Sequence, residues 1–170
     1  MNSLTEKEVR ALHEALDDEY KAWSTYDQVL ADFGDVRPFS NIRDAEGRHI
    51  EALCRLFAHY DIPVPENPWP GKVPRFTRLQ EACEAGVEDE IANAELYERL
   101  LEATDRPDIL TVLHNLQAAS QQRHLPAFRR CAEGRRGDGS GQGGGRGEGK
   151  GGRRGEGRGR GQQRGGRCQT

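Results

Sequence analysis

The 170-residue sequence has one methionine, four cysteines and no apolar run near the ~18 to 20 residues that span a membrane. Cys54, Cys83, Cys131 and Cys168 include no C-x-x-C pair. Neither a zinc module nor a disulfide framework is therefore expected, and reduced intracellular thiols are. The amino terminus, MNSLTEKEVR, lacks a basic-then-apolar leader, so the expected location is cytoplasmic. Aromatic residues stop before Glu133, and that last absence divides the chain. Residues 134–170 hold 17 of the 21 glycines, with 10 basic and 3 acidic residues, a net +7. Residues 1–133 hold 15 basic and 25 acidic residues, a net −10. The first part is long enough for one core, whereas the second has nothing apolar to bury and is expected to be disordered.

Residues 1–133 read as helices throughout. Ser3-x-x-Glu6 and Thr5-x-x-Glu8 are overlapping capping boxes, followed by helical periodicity to Phe33. A second periodic run covers 39–60. Residues 61–76, DIPVPENPWPGKVPRF, carry five prolines in sixteen positions and exclude helix. Thr77-x-x-Gln80 opens a third helix to about 104, and Asp105 caps a fourth, with Pro107 in its first turn, to about 132. The short links make helices 1–2 and 3–4 antiparallel hairpins. The Pro-rich link reaches roughly 50 Å when extended, beyond the roughly 38 Å of a 25-residue helix. It can return along the bundle and start helix 3 parallel to helix 2. The expected fold is an all-α four-helix bundle of two hairpins joined by a long crossover.

Each helix has an inward seam with steps of three and four. Helix 1 runs Val9, Leu12, Leu16, Glu19, Trp23, Tyr26, Leu30, Phe33, and helix 2 runs Phe39, Ile42, Glu46, His49, Leu53, Leu56, Tyr60. Helix 3 runs Phe76, Leu79, Cys83, Gly86, Glu90, Ala94, Tyr97, Leu101, and helix 4 runs Leu110, Leu113, Gln117, Gln121, His124, Phe128, Cys131. Three carboxylates and two imidazoles therefore fall mid-helix on inward faces, with no Lys or Arg in the seams to pair with them. Buried charges of this kind are protonated, paired or bound to a metal, and a metal explains all five together. Glu46-x-x-His49 places both side chains one turn apart on one face. The halves also repeat: Glu19…Tyr26…Glu46-x-x-His49 matches Glu90…Tyr97…Gln121-x-x-His124.

DDEYKAWSTY, RPFSNIRDAEGRHIEAL, AGVEDEI and QQRHLPAF carry a resemblance to the ferritin-like superfamily. More closely, residues 4–131 are similar to a small prokaryotic ferritin-like family described only as a domain of unknown function. The resemblance implies a ferritin-like bundle in which Glu19, Glu46, His49, Glu90 and His124 are metal ligands. It further implies non-haem iron, one or two ions, with manganese and zinc as alternatives. The implied chemistry is Fe²⁺ oxidation or reaction with O₂ or peroxide. Gln121 stands where the superfamily has a sixth ligand, Glu, which leaves three carboxylates and a weaker second position. Within that pattern Glu46 is the expected bridge.

The competing reading of the five residues is a hydrogen-bonded polar layer without metal. Tyr26 and Tyr97 are core aromatics or hydrogen-bond donors to the site. Trp23 reads as core, and His13, His59 and His114 as surface or satisfied histidines. Gly47 and Gly86, costly inside helices, suggest close helix approach. The tail's Arg153, Arg154, Arg158 and Arg160, spaced with glycine, suit nonspecific polyanion contact such as nucleic acid. A non-catalytic scaffold that works through this tail is the alternative function. The remaining candidate partner is a second copy of the chain.

Overall fold

The computed structural model describes residues 3–134. Arg153, Arg154, Arg158, Arg160 and Cys168 lie outside them. The helices are α1 Glu6–Phe33, α2 Phe39–His59, α3 Leu79–Leu101, α4 Pro107–Ala119 and α5 Leu125–Ala132. A π-helical turn, Ser120–His124, joins α4 to α5. Among the described residues there is no strand, and no helix is long and apolar enough to cross a membrane.

Of the two candidate boxes at the amino terminus, only Thr5 with Glu8 forms. Thr5 N–H donates to Glu8 Oε2 at 2.8 Å, and Glu8 N–H donates to Thr5 Oγ1 at 3.2 Å. The other oxygen of Glu8 reaches across the bundle, accepting from Thr104 Oγ1 at 2.8 Å and Arg106 Nε at 2.9 Å. One buried carboxylate thus ties the start of α1 to the α3–α4 connection. The box expected at Thr77-x-x-Gln80 does not form: Glu81 accepts from the Arg78 N–H at 3.3 Å and from Thr77 Oγ1 at 2.9 Å. Glutamate has the charge that Gln80 lacks, and it complements the helix dipole there. Asp105 does not cap α4 either, since Thr104 Oγ1 accepts the Arg106 N–H at 3.1 Å.

Hydrogen bonds trace the long link between α2 and α3 along α1. Tyr20 Oη donates to the Pro65 carbonyl at 3.1 Å, Asn67 Nδ2 to Ser24 Oγ at 3.1 Å, and Trp69 Nε1 to Asp17 at 2.9 Å. Arg75 then pairs with Asp32 near the far end of α1. The link has returned the full length of the bundle, so α3 starts beside the end of α1 and runs parallel to α2. At the opposite end Arg99 pairs with Glu14 at 2.6 Å. The expected crossover is therefore present.

Burial divides each helix in three. One apolar cluster gathers Leu12, Leu16, Ile50, Leu53, Phe57, Leu100 and Leu113; a second gathers Val29, Phe39, Ile42, Ala82 and Phe128. Between them, from α1, α2, α3 and the π turn, come the buried polar residues Glu19, Glu46, Glu90, Ser120 and His124. Trp23 is half-buried against the first cluster, His13 packs edge-on against Phe57, and His59 and His114 are exposed.

Two expectations fail in the second hairpin. Cys83 and Cys131 form a disulfide between α3 and α5, and none of Cys54, Cys83 and Cys131 is a free thiol. A separation of 48 residues gave no pairing signal, yet both residues sat on facing seams. Their Cα atoms are 5.7 Å apart, inside the range a disulfide bridges. The π turn was also unforeseen. Its cause is Pro126, which has no N–H for the Gln122 carbonyl and whose ring crowds it. The Leu125 N–H bonds instead to the Ser120 carbonyl, five residues back. The extra residue moves the seam, whose buried positions are Ile109, Leu113, Leu116, Ser120, His124 and Phe128.

Gly86 faces that seam at close range. A Cβ there would lie 2.7 Å from Phe128 Cδ1, and the fully buried ring has nowhere to move. Gly86→Ala should thus destabilise by about 1–3 kcal/mol despite better helix propensity. A Cβ at Gly47 meets only the Trp23 indole, at ordinary contact distances of 3.7 Å to Nε1 and 3.9 Å to Cδ1, so Gly47→Ala should stabilise by up to about 1 kcal/mol. Chemical denaturation of the two variants checks both signs. A second prediction concerns acid. Burial pushes the Glu8 carboxyl up, but hydrogen bonds from the Thr5 backbone, Thr104, the Thr5 side chain and Arg106 outweigh it and hold it at about 2. Its contribution is complete above the ordinary value of 4.5 and drains away as pH falls toward 2. Glu8→Gln should be less stable at pH 7, and its unfolding midpoint should fall less between pH 4.5 and pH 2 than that of the wild type.

Candidate metal centre

Each of the four inward faces delivers its polar residue to one layer. Glu19 comes from α1, Glu46 and His49 from α2, Glu90 from α3 and His124 from the π turn. The i, i+3 spacing of Glu46 and His49 brings Glu46 Oε2 to 2.7 Å from His49 Nδ1. His49 Nδ1 is also 3.1 Å from Glu19 Oε2. On the far side Glu46 Oε1 lies 3.2 Å from His124 Nδ1, which is 3.5 Å from Glu90 Oε1. The imidazole rings are nearly parallel, with centroids 5.7 Å apart. Two donor sets result, Glu19/Glu46/His49 and Glu46/Glu90/His124, each with its ligand atoms within 4.8 Å of one another. Glu46 belongs to both, with one oxygen for each.

His124 Nδ1 is the telling atom. It is buried and makes no hydrogen bond, although two carboxylate oxygens stand nearby. The contacts have ion-pair distances without hydrogen-bond alignment. A buried nitrogen in that position costs free energy unless a cation shares it with the oxygens. Two imidazoles and three carboxylates with converging lone pairs form a mixed N/O donor set that suits iron, manganese or zinc.

The charges respond strongly to one another. Burial, reinforced by the Glu46 carboxylate, pushes the Glu19 carboxyl up to about 8 against the pull of His49. Burial would also raise Glu46, but the imidazoles of His124 and His49 outweigh it and hold its carboxyl at about 2. Burial opposes charge on His49, yet Glu19 and Glu46 raise it to about 10. Glu46 and Glu90 likewise raise His124 to about 9 against its burial. Imidazolium protons therefore supply the layer's positive charge, and a bound divalent ion would displace them.

Tyr26 and Tyr97 both reach the site, and they do so crosswise. Tyr97 Oη, on α3, donates to Glu19 Oε1 of α1 at 2.5 Å. Tyr26 Oη, on α1, donates to Glu90 Oε1 of α3 at 3.3 Å. Gln121 is half-buried beside the layer. Its Nε2 donates to the Glu90 backbone carbonyl at 2.8 Å and to Ser120 Oγ at 3.0 Å. Ser120, which no motif singled out, donates its hydroxyl to Glu90 Oε2. The signal for it was Pro126, since the turn that proline enforces rotates Ser120 inward.

A cavity of about 80 Å³ borders the layer, lined in part by Asp18, Asp89 and Asn93. Asp18 and Asp89 are the residues preceding Glu19 and Glu90 in the internal repeat. Burial pushes the Asp18 carboxyl up to about 6 although Asn93 Nδ2 donates to it at 2.8 Å. Glu51, Glu88 and Glu95 are exposed.

No family model and no curated protein matches this chain. Among solved structures it is similar to the crystal structure of hypothetical protein MJ0754 from Methanococcus jannaschii DSM 2661, with a TM-score of 0.68 and 23% identity. The likeness covers 79% of this chain and 84% of that one. At this identity it is a likeness of fold.

The crossed tyrosines should differ in weight. Tyr97→Phe leaves a buried carboxyl short of its close donor and should cost about 1–3 kcal/mol. Tyr26→Phe, which loses a 3.3 Å contact to a carboxylate that Ser120 also serves, should cost less. Urea denaturation of the metal-free variants gives the order.

Proposed function

We propose that the chain is a ferritin-like, non-haem dimetal protein that holds iron at Glu19, Glu46, His49, Glu90 and His124. The observation that carries this reading is Glu46, with one oxygen on each imidazole, beside the hydrogen-bond-less His124 Nδ1. The two hairpins, the long crossover and the Glu…Glu-x-x-His pattern support the ferritin-like assignment. Iron held by these five residues would supply redox chemistry: two Fe²⁺ would give the two electrons that, with two protons, reduce O₂ to H₂O₂ or H₂O₂ to water.

The chain's own residues have separable roles in this scheme. Glu46 offers an oxygen to each position and sets their separation. Glu19 with His49, and Glu90 with His124, complete one position each. Tyr97 and Tyr26 hold the outer glutamates in orientation by donating to one oxygen of each. The apolar clusters on either side of the layer keep bulk water out and strengthen its electrostatics. The cavity beside Asp18, Asp89 and Asn93 leaves room for a small oxidant next to the donors.

Aerobic Fe²⁺ titration with metal analysis and thermal unfolding tests the reading. Free Fe²⁺ at a hundredfold excess over its Kd should stabilise the fold by about 2.7 kcal/mol for each position filled. Glu46→Ala should abolish binding at both positions and the accompanying Fe²⁺ oxidation. Stability indifferent to Fe²⁺, Mn²⁺ and Zn²⁺ would refute a metal role. The Arg/Gly tail poses a separate question, because its net +7 faces a net −10 in the rest of the chain. Deleting the residues after Glu133 should remove any salt-sensitive polyanion binding and leave Fe²⁺ binding intact.

A further inference from the structure

We infer that Ser120, rather than Gln121, occupies the place of the sixth ligand, and that its hydroxyl makes the two metal positions unequal. The inference rests on the dimetal reading and adds an order of filling to it.

By sequence repeat Gln121 matches Glu46, because each stands three residues before a histidine of the layer. In space the match fails. The π turn inserts one residue, so His124 still faces inward while the inward position one turn earlier falls on Ser120. Ser120 is buried and borders the cavity beside the layer, whereas Gln121 is half-buried and spends its amide on the Glu90 backbone carbonyl. A carboxylate at 121 would meet that carbonyl and be repelled by it. A carboxylate at 120 would meet the layer.

Ser120 also changes what Glu90 can offer. Gln121 Nε2 donates to Ser120 Oγ, which leaves the Ser120 hydroxyl hydrogen directed at Glu90 Oε2. Glu90 Oε1 receives Tyr26 and lies 3.5 Å from His124 Nδ1. Both oxygens of Glu90 are therefore engaged, and only one lies in the donor set with His124. Glu19 differs. Tyr97 takes its Oε1, and its Oε2 stays aimed at His49, 3.1 Å away. By sequence Ser120 aligns with Ala45, which has no hydroxyl, whereas in space its counterpart is Glu46. The α1–α2 hairpin thus carries the stronger position, Glu19/Glu46/His49. The weaker one, Glu46/Glu90/His124, fills second.

Co²⁺ serves as the probe, titrated into the full chain and followed by calorimetry and visible absorption. Wild type should bind in two steps, the second weaker by about 10-fold or more. His124→Ala should remove only the second step, and His49→Ala should remove the first. Ser120→Asp should tighten the second step by about 10-fold or more, while Gln121→Glu should leave it unchanged. Ser120→Ala, which adds no buried charge, should narrow the gap by releasing Glu90 Oε2. Two equal steps in wild type would overturn the inference. So would a second step that Gln121→Glu tightens and Ser120→Asp does not. Failure of wild type to bind Co²⁺, Fe²⁺ or Mn²⁺ at all would instead overturn the dimetal reading beneath it.

Discussion

A single carboxylate shared by two imidazoles governs the centre of this molecule. Glu46 is buried and charged, and burial alone would neutralise it. It stays ionised because His49 and His124 stand at its two oxygens. Those imidazoles in turn stay cationic because Glu19 and Glu90 stand beyond them. The chain Glu19–His49–Glu46–His124–Glu90 is thus one electrostatic unit contributed by α1, α2, α3 and the π turn. No helix can rotate by a residue without leaving a charge unpaired, and an unpaired buried charge costs several kcal/mol. The apolar clusters supply the cohesion of the bundle, whereas the polar layer specifies its register.

The amino terminus of α1 repeats the theme on a smaller scale. Glu8 caps its own helix with one oxygen and grips the α3–α4 connection with the other. In both places a carboxylate is tolerated inside because hydrogen bonds or cations reach both of its oxygens. The difference lies in the donors. Those of Glu8 are hydroxyls, a backbone N–H and an arginine, which have no reason to leave. Those of Glu46 are imidazoles, each of which can give up a proton and offer the nitrogen to a divalent ion instead.

The first hairpin was almost entirely legible from sequence. Its seams, the Thr5 box and the Glu46-x-x-His49 pair all lie on uninterrupted α-helix, where periodicity maps directly on to a face. The long link was legible too, because five prolines leave few options other than an extended return. The second hairpin was harder for one local reason. Pro126 breaks the 3.6-residue period, and the seam before it departs from a regular extrapolation at every position but Leu113 and His124. That shift put Gln117 and Gln121 in the expected seam in place of Leu116 and Ser120. The disulfide was missed differently. Cys83 and Cys131 were both placed on facing seams, but composition and spacing argued for thiols, and only proximity in space reveals the bond. The seam periodicity put Glu19, Glu90, Tyr26 and Tyr97 on inward faces, and all four are buried. Their partnership across the halves was not readable, because spacing within a half says nothing about the other half.

That crossed partnership has a dynamic consequence. Each outer glutamate is held by the tyrosine of the opposite hairpin, so even the Glu19/Glu46/His49 set, whose donors all come from the first hairpin, is held in orientation by the second. The Glu46/Glu90/His124 set, which draws on both hairpins, exists only while they are docked. By linkage, any ion that prefers the finished site opposes their separation. Its effect should therefore appear less in the fraying of single helices than in the rarer opening of one hairpin from the other, with the amide groups of α1 and α3 beside the layer exchanging most slowly.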